Sequence, residues 1–237
     1  MGRKHDPEGK LIAQPSSLDT GPGVFLSLAY VRKQDPDASV VILPSDHFVH
    51  PETLFIQSIR SAAEAAEAFP DRPVLLGAYS KRPDADLGWI ELGESLRSPR
   101  GLVVYGVSRF VEKPAPDEAG RVMKSGGLLN TLVIVSRLNA LWALGRHHFP
   151  ETIALLEHAA EAFDTDGEDA TLQRIYQEMP CWNISADLLA RSAANLAVME
   201  LDGVHWSDWG KPERILETLH RAGQPPLFQM SNEEAFV

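Results

Sequence analysis

The sequence predicts an α/β fold, a sheet covered by helices on both faces. Three observations carry that expectation. Helix and strand patterns alternate through the first third of the chain. Ser39 to Leu43 and Val74 to Tyr79 are short continuous apolar runs, suited to strands buried on both faces. Near each end of the chain an apolar run stops at a small polar loop holding one aspartate: Asp46 in Leu43-Pro44-Ser45-Asp46-His47 and Asp208 in Trp206-Ser207-Asp208-Trp209-Gly210. Open α/β sheets present ligands in the crevice beyond the carboxyl ends of their strands. Two such carboxylates, brought together, suit Mg²⁺, which favours carboxylate oxygens and substrate phosphates.

The elements follow in order. Residues 1–10 are polar, carry both signs of charge and read as a loose arm. Gln14 to Gly23 is a loop in which Asp19 or Thr20 caps a helix over about Val24–Lys33. Asp35-Pro36-Asp37 ends it, and the Ser39–Leu43 strand follows. Pro51 opens a helix reaching about Ala68, with Leu54, Phe55, Ile59, Ala62, Ala63 and Ala66 on one stripe. After the strand at Val74, the order α, β, α, β suggests a parallel sheet. The middle departs from it: Gly88 to Leu92 and Gly101 to Val111 read as extended, partly antiparallel strands, so the sheet expected is mixed. A short helix over Asp117–Lys124 and a strand over Leu128–Val135 come next. Helices at about Leu138–His148, Glu151–Phe163 and Ala170–Glu178, a strand at Asn195–Leu201 and a helix at Pro212–Arg221 complete the pattern. Residues 224–237 read as a frayed tail, and 1–237 as one domain.

Composition bounds the function. At 237 residues the chain is long enough for a substantial core. A formal net charge of −11 leaves no basic stripe for a nucleic-acid backbone. The single cysteine, Cys181, allows no intrachain disulfide and fits a reducing cytoplasm; a buried, inert thiol is its plainer reading. No run approaches the ~20 apolar residues of a membrane helix, and the first residues contain no signal-peptide core.

Most candidate positions have a plain alternative. Asp46 suits a turn or a helix cap, and His47 a hydrogen-bonding role. Glu112 and Lys113 end the longest strand; alternation points them to opposite faces, so they do not pair with each other. A strand-end Lys can meet a phosphate, and a Glu can accept bonds from sugar hydroxyls. Asn130 opens an apolar strand, where Asn is depleted, so a turn bond and a ligand contact both remain open. Gly88, at a strand start, leaves room for a ligand or simply a turn. The tryptophans around Asp208 suit core packing, and the helix beginning after Lys211 favours anions at its N-terminus.

Together, in this order, these segments resemble the sugar-phosphate nucleotidyltransferases, and within them the mannose-1-phosphate guanylyltransferases. The likeness runs from about Ile12 to Leu219. It implies a Rossmann-like nucleotidyltransferase fold of the GT-A type. Leu43-Pro44-Ser45-Asp46-His47 and the Asp208 segment are similar to the family's two metal motifs, implying Asp46 and Asp208 as Mg²⁺ ligands. Phe110-Val111-Glu112-Lys113-Pro114 is similar to its sugar-phosphate motif, with Lys113 on the phosphate and Glu112 on the sugar. Leu87-Gly88-Trp89-Ile90 and Leu129-Asn130-Thr131 imply Gly88, Asn130 and Thr131 around the sugar. The Gln14–Gly23 loop and Ser45 imply nucleotide contacts from Gln14, Pro15, Thr20 and Ser45.

The expected reaction transfers a nucleotidyl group from GTP, or another nucleoside triphosphate, to mannose 1-phosphate, or another sugar 1-phosphate, releasing pyrophosphate. The alternative is a non-catalytic sugar-nucleotide-binding or regulatory subunit. Two departures stand out. Leu129 lies where the family commonly has Trp, and Leu132 where a small residue is frequent. Family members also open with a strand and a glycine-rich, basic triphosphate loop that would precede Met1 here. The expectation is an N-terminally truncated sheet with unpaired backbone groups and an exposed apolar face, where each buried unpaired backbone group costs about 1–3 kcal/mol. A homo-oligomer or a completing subunit is the corresponding partner.

Overall fold

The computed structural model of the chain describes residues 9–98, 101–221 and 223. The arm expected over 1–10 lies outside the described residues except for its last two, and the tail at 224–237 lies wholly outside them. Seven α-helices are described: α1 (Thr20–Gln34), α2 (Glu52–Ala68), α3 (Pro116–Lys124), α4 (Leu138–His148), α5 (Pro150–Ala159), α6 (Glu168–Glu178) and α7 (Pro212–Arg221). Six strands form the main sheet: β1 (Ser39–Ile42), β3 (Val74–Ala78), β4 (Trp89–Arg97), β5 (Val103–Val111), β6 (Leu128–Arg137) and β7 (Ala197–Glu200). Two short strands, β2 (Phe48–His50) and β8 (His205–Ser207), pair with each other. No helix among the described residues is long and apolar enough to cross a membrane.

The strand order is β1-β6-β3-β7-β5-β4. Among the described residues only β3 and β7 run parallel; every other pairing in this sheet is antiparallel. The parallel arrangement suggested by the early α, β, α, β order is therefore interrupted. β6 enters between β1 and β3 and runs against both. β4, at the far end, curls back so that Trp89 and Ile90 pair with Leu129 and Leu128. That return brings the start of β4 against the start of β6.

Period-two alternation divides the core. Leu75, Ile134 and Val198 face a large cluster with Phe25 of α1, Leu138 and Trp142 of α4, Ile153 of α5 and Tyr176 of α6. Val74, Leu76, Val133, Val135, Ala197 and Met199 face the opposite way, onto Ala62, Ala65 and Ala66 of α2. Helices thus cover both faces. Small residues on α2 let its backbone approach the sheet closely.

Several elements differ from expectation. β1 is not buried on both faces: Val40 is buried, but Val41 is 43% and the adjoining Leu43 49% exposed. Among the described residues β6 is its only partner, so it forms a sheet edge. α5 stops at Ala159 rather than Phe163, because the chain turns after Ala160 and sends Phe163 back to stack on Tyr30 at 3.8 Å between ring centroids. Cys181 is exposed, since it lies in the extended link after α6 while neighbouring Trp182 takes the core position.

Candidate functional site

The two aspartate loops are joined by the two-stranded sheet of β2 and β8. In the β2–β8 ladder Phe48 is opposite Ser207 and Val49 opposite Trp206. His47 and Asp208, the next residues beyond the last pair of that ladder, leave it side by side. The charges of both Asp46 and Asp208 reach the His47 ring. His47 accepts the Trp206 indole N–H on Nδ1 at 3.2 Å, and the Thr131 main chain takes a hydrogen bond from the ring. Burial holds its pKa below the usual range, against the pull of the two carboxylates and that main-chain bond. Engaged by the Trp206 indole on Nδ1 and by the Thr131 main chain, the imidazole braces the two loops. Trp209 completes the turn at φ 50° and stacks on Phe48, with centroids 5.4 Å apart.

The two carboxylates sit in different settings. The Asp46 side chain is 82% exposed, and one of its oxygens lies 3.9 Å from His47 Nε2. Asp208 is 16% exposed; its Oδ2 accepts from Arg214 Nη1 at 2.5 Å, while its Oδ1 is buried without a hydrogen bond. A carboxylate oxygen that is buried without a partner is of the type that suits a hard cation. No group of three or more His, Cys, Asp or Glu side chains that could hold a metal occurs among the described residues. Mg²⁺ does not need one, because it keeps waters and completes its shell with substrate phosphates. The donor set fits that ion.

The curl of β4 builds the second half of the site. Trp89 pairs with Val111 on one side and Leu129 on the other, so Gly88 lies between Glu112 and Asn130. A Cβ on Gly88 would stand 2.6 Å from Glu112 Oε2 and 3.4 Å from Asn130 Cβ. The Asn130 backbone N–H donates to Gly88 O at 2.8 Å. Glu112 is half-buried and accepts no hydrogen bond from a described residue; burial raises its pKa, with adjacent Lys113 opposing. Lys113 is exposed at φ 44°, and its ammonium makes no hydrogen bond among the described residues.

Asn130 and Thr131 open a bulge, since Leu76 pairs with Val133 but Gly77 pairs with Asn130. Asn130 Oδ1 accepts from Leu132 N at 3.1 Å, so the turn role left open by its sequence position is real; its amide nitrogen is 3.5 Å from Ser185 Oγ. Thr131 is placed otherwise than expected. It is completely buried, and its hydroxyl donates to Leu76 O at 2.6 Å and accepts from Val133 N at 3.3 Å. It fastens the bulge instead of facing a ligand.

The remaining expected positions gather elsewhere. Gln14 packs over Gly23 of α1, donates to Asp19 O at 3.4 Å and keeps Oε1 buried without a partner. Thr20 Oγ1 accepts from Ile184 N at 3.0 Å; Pro15, Thr20 and Ser45 are exposed. No hydrogen bond among the described residues ties the Gln14–Thr20 loop to Asp46, Asp208 or Lys113.

A network that no sequence pattern signals ties the two halves together. Arg214 Nη1 holds Asp208, while Nη2 holds Asp84 Oδ2 at 2.7 Å; Lys211 bonds to Asp86. Asp84 and Asp86 lie over a hundred positions from Lys211 and Arg214, so their spacing gives no local signal. Beside the network opens a cleft of about 630 Å³, walled by Tyr79, Lys81, Leu87, Trp206 and Arg214.

A family model described as Nucleotidyl transferase matches residues 2–224. A putative mannose-1-phosphate guanylyltransferase of Vibrio cholerae is 25% identical over 216 residues, 91% of this chain and 45% of that protein. The mannose-1-phosphate guanylyltransferase of Escherichia coli K12 is 26% identical over 213 residues, 87% of this chain and 43% of that protein. The chain therefore spans less than half the length of these relatives. A solved mannose-1-phosphate geranyltransferase from Thermus thermophilus matches with a TM-score of 0.77 at 24% identity, over 95% of this chain and 61% of its own. A UDP-glucose pyrophosphorylase in complex with UDP-glucose matches at 0.53 and 12% identity, over 90% and 65% respectively. Those two likenesses show the fold, and it is the Rossmann-like mixed sheet that the sequence led us to expect.

Proposed function

The chain belongs to the nucleotidyl transferase family, and from that premise we propose that it transfers a nucleotidyl group to a sugar 1-phosphate and releases pyrophosphate. GTP and mannose 1-phosphate are the substrates proposed, in keeping with the relatives' names. One observation carries the reading: the β2–β8 ladder sets the Asp46 and Asp208 loops side by side.

Little covalent work falls to the protein in such a reaction; positioning and charge neutralisation dominate. In this proposal Asp46 and Asp208 hold Mg²⁺, which when bound supplies neutralisation at the α-phosphate. Lys113 receives the sugar phosphate. Glu112 accepts from sugar hydroxyls beside the gap at Gly88, and Asn130 borders that gap. A phosphate oxygen of the sugar attacks the α-phosphorus in line, the bond to the β-phosphate oxygen breaks, and pyrophosphate leaves. Nucleotide contacts are assigned to Gln14, Pro15, Thr20 and Ser45, with the orphaned Gln14 oxygen as an acceptor for a base.

The test is pyrophosphate release from GTP plus mannose 1-phosphate with Mg²⁺. Turnover that requires both substrates and is lost with EDTA supports the proposal. Saturable GDP-mannose binding with no turnover would replace it with a non-catalytic binding subunit.

A further inference from the structure

The Asp19–Thr20 corner and Asn130 belong to opposite halves of the proposed site, and one short segment, Trp182 to Ser185, touches both. Hydrogen bonds fasten it to the corner. Trp182 N donates to Leu18 O at 3.3 Å, and Gly21 N donates to Trp182 O at 3.1 Å. Ile184 N donates to Thr20 Oγ1 at 3.0 Å, and Asn183 Nδ2 to Asp19 Oδ1 at 3.1 Å. A Cβ on Gly21 would stand 2.1 Å from the Trp182 ring, so this close approach depends on glycine.

Asn183 then opens a single π-helical turn, Ile184–Leu189. Its Oδ1 accepts from Ser185 N at 2.9 Å and from Ala186 N at 3.1 Å, while Asp187 Oδ2 accepts from Asn183 N at 2.8 Å. A reciprocal cap of this kind fixes the first turn. It holds the buried Ser185 with its Oγ 3.5 Å from Asn130 Nδ2. One side-chain amide therefore faces two ways. Its oxygen serves the turn that seats Ser185 against Asn130, and its nitrogen serves Asp19. Asp19 sits at φ 69° and ψ −171°, backbone that residues other than glycine seldom adopt, so it must be held by its neighbours.

We propose that Asn183 is a positioning residue, a strut that fixes the distance between the nucleotide-side corner at Thr20 and the sugar-side wall at Asn130. The inference rests on the transferase reading for which half of the ligand lies on which side. In-line transfer needs its two substrates at a set separation, and a misplacement of ~1 Å can cost about 100-fold in rate. Each substrate alone meets one side and does not sense the spacing. A ligand that spans both sides does. The strut therefore acts on kcat and on the affinity for a sugar nucleotide, and leaves KM for either substrate alone.

Asn183→Asp separates the strut from the cap. Its carboxylate still accepts from Ser185 N and Ala186 N but has no hydrogen to give Asp19. Titration calorimetry with GDP, mannose 1-phosphate and GDP-mannose, alongside steady-state kinetics and thermal melts, reads the result. The melting temperature and the affinities for GDP and mannose 1-phosphate are expected to stay at wild-type values. GDP-mannose affinity falls about tenfold, the loss of one charge-assisted contact, and kcat falls at least ~10-fold. Exchanging the pair, Asp19→Asn with Asn183→Asp, returns a donor opposite an acceptor and restores both. An Asn183→Asp protein with unchanged GDP-mannose affinity and kcat overturns the inference and leaves the transferase reading standing. So does one whose melting temperature and three affinities fall together, the mark of a merely structural role, or an exchanged pair no better than the single variant. A wild type that binds none of the three ligands also overturns it. A wild type that releases no pyrophosphate, yet loses GDP-mannose affinity selectively in Asn183→Asp, upholds the strut and removes the transferase reading instead.

Discussion

Gly88→Ala separates binding from folding in a way the structure lets us estimate. The added methyl would meet Glu112 Oε2 at 2.6 Å, about 0.8 Å inside ordinary van der Waals contact, and Asn130 Cβ and Phe110 Cζ at 3.4 Å. Two of these neighbours need not move. The third is the end of a flexible, half-buried side chain with no hydrogen bond to break. Overpacking costs typically 1–3 kcal/mol, and the low end, about 1 kcal/mol, applies here. In a chain of this length that lowers the melting temperature by roughly 2–4 °C. Function should suffer more, because Glu112 yields by moving out of the gap where it would accept from a sugar hydroxyl. Losing a hydrogen bond to a charged group costs about 1.5–3 kcal/mol, or roughly a 10–150-fold drop in kcat/KM for the sugar phosphate. KM for the nucleotide should be unchanged. Thermal melts and initial rates at varied sugar phosphate measure both. An unchanged KM for the sugar phosphate would show that the gap holds no sugar, and a melting point lowered by more than about 10 °C, well beyond that range, would show that Glu112 cannot yield.

Other substitutions probe separate parts. Asp46→Asn should reduce Mg²⁺-dependent pyrophosphate release at least ~100-fold without altering the melt, since that carboxylate is 82% exposed. Asp208→Asn should lose turnover equally and also stability, about 1–3 kcal/mol, because it gives up the charged partner of Arg214; denaturant titration distinguishes the pair. Thr131→Val should cost about 1–3 kcal/mol and leave both KM values alone, as its hydroxyl serves only Leu76 and Val133. For pH, the Tyr30 hydroxyl bonded to Glu168 holds that carboxyl below its usual range. Its contribution is therefore present above the unfolded pKa and lost as pH falls through the folded one. Glu168→Gln should melt lower than wild type at about pH 6, and the gap should close below about pH 4.

Long periodic elements were legible in the sequence. α2 begins and ends where Pro51 and the alanine stripe place it, β3 coincides with an apolar run, and β6 with one interrupted only at Asn130 and Thr131 before its polar end. Gly88, Glu112 and Asn130 were found singly, each as a residue type out of place in or beside a strand. Their meeting depends on β4 curling back to β6, which no local pattern encodes. β2 and β8 are three residues each, too short to show alternation, yet they join the aspartate loops. β1 misled for another reason: an apolar run tells that a strand is apolar, not how many neighbours cover it. The burial of Thr131 follows from a bulge visible only in the register.

The edge position of β1 bears on the timing of any event at Asp46. Among the described residues that strand is held by a single ladder to β6, so its outer amides and its end can open without unfolding the sheet. Asp208, by contrast, is locked through Arg214 to Asp84. Amide exchange should therefore be fast along Val41 and slow along β3. Asp208 is thus fixed by its own network while Asp46 follows an edge strand, so a ligand that bridges the two is expected to be felt first as slowed exchange in β1.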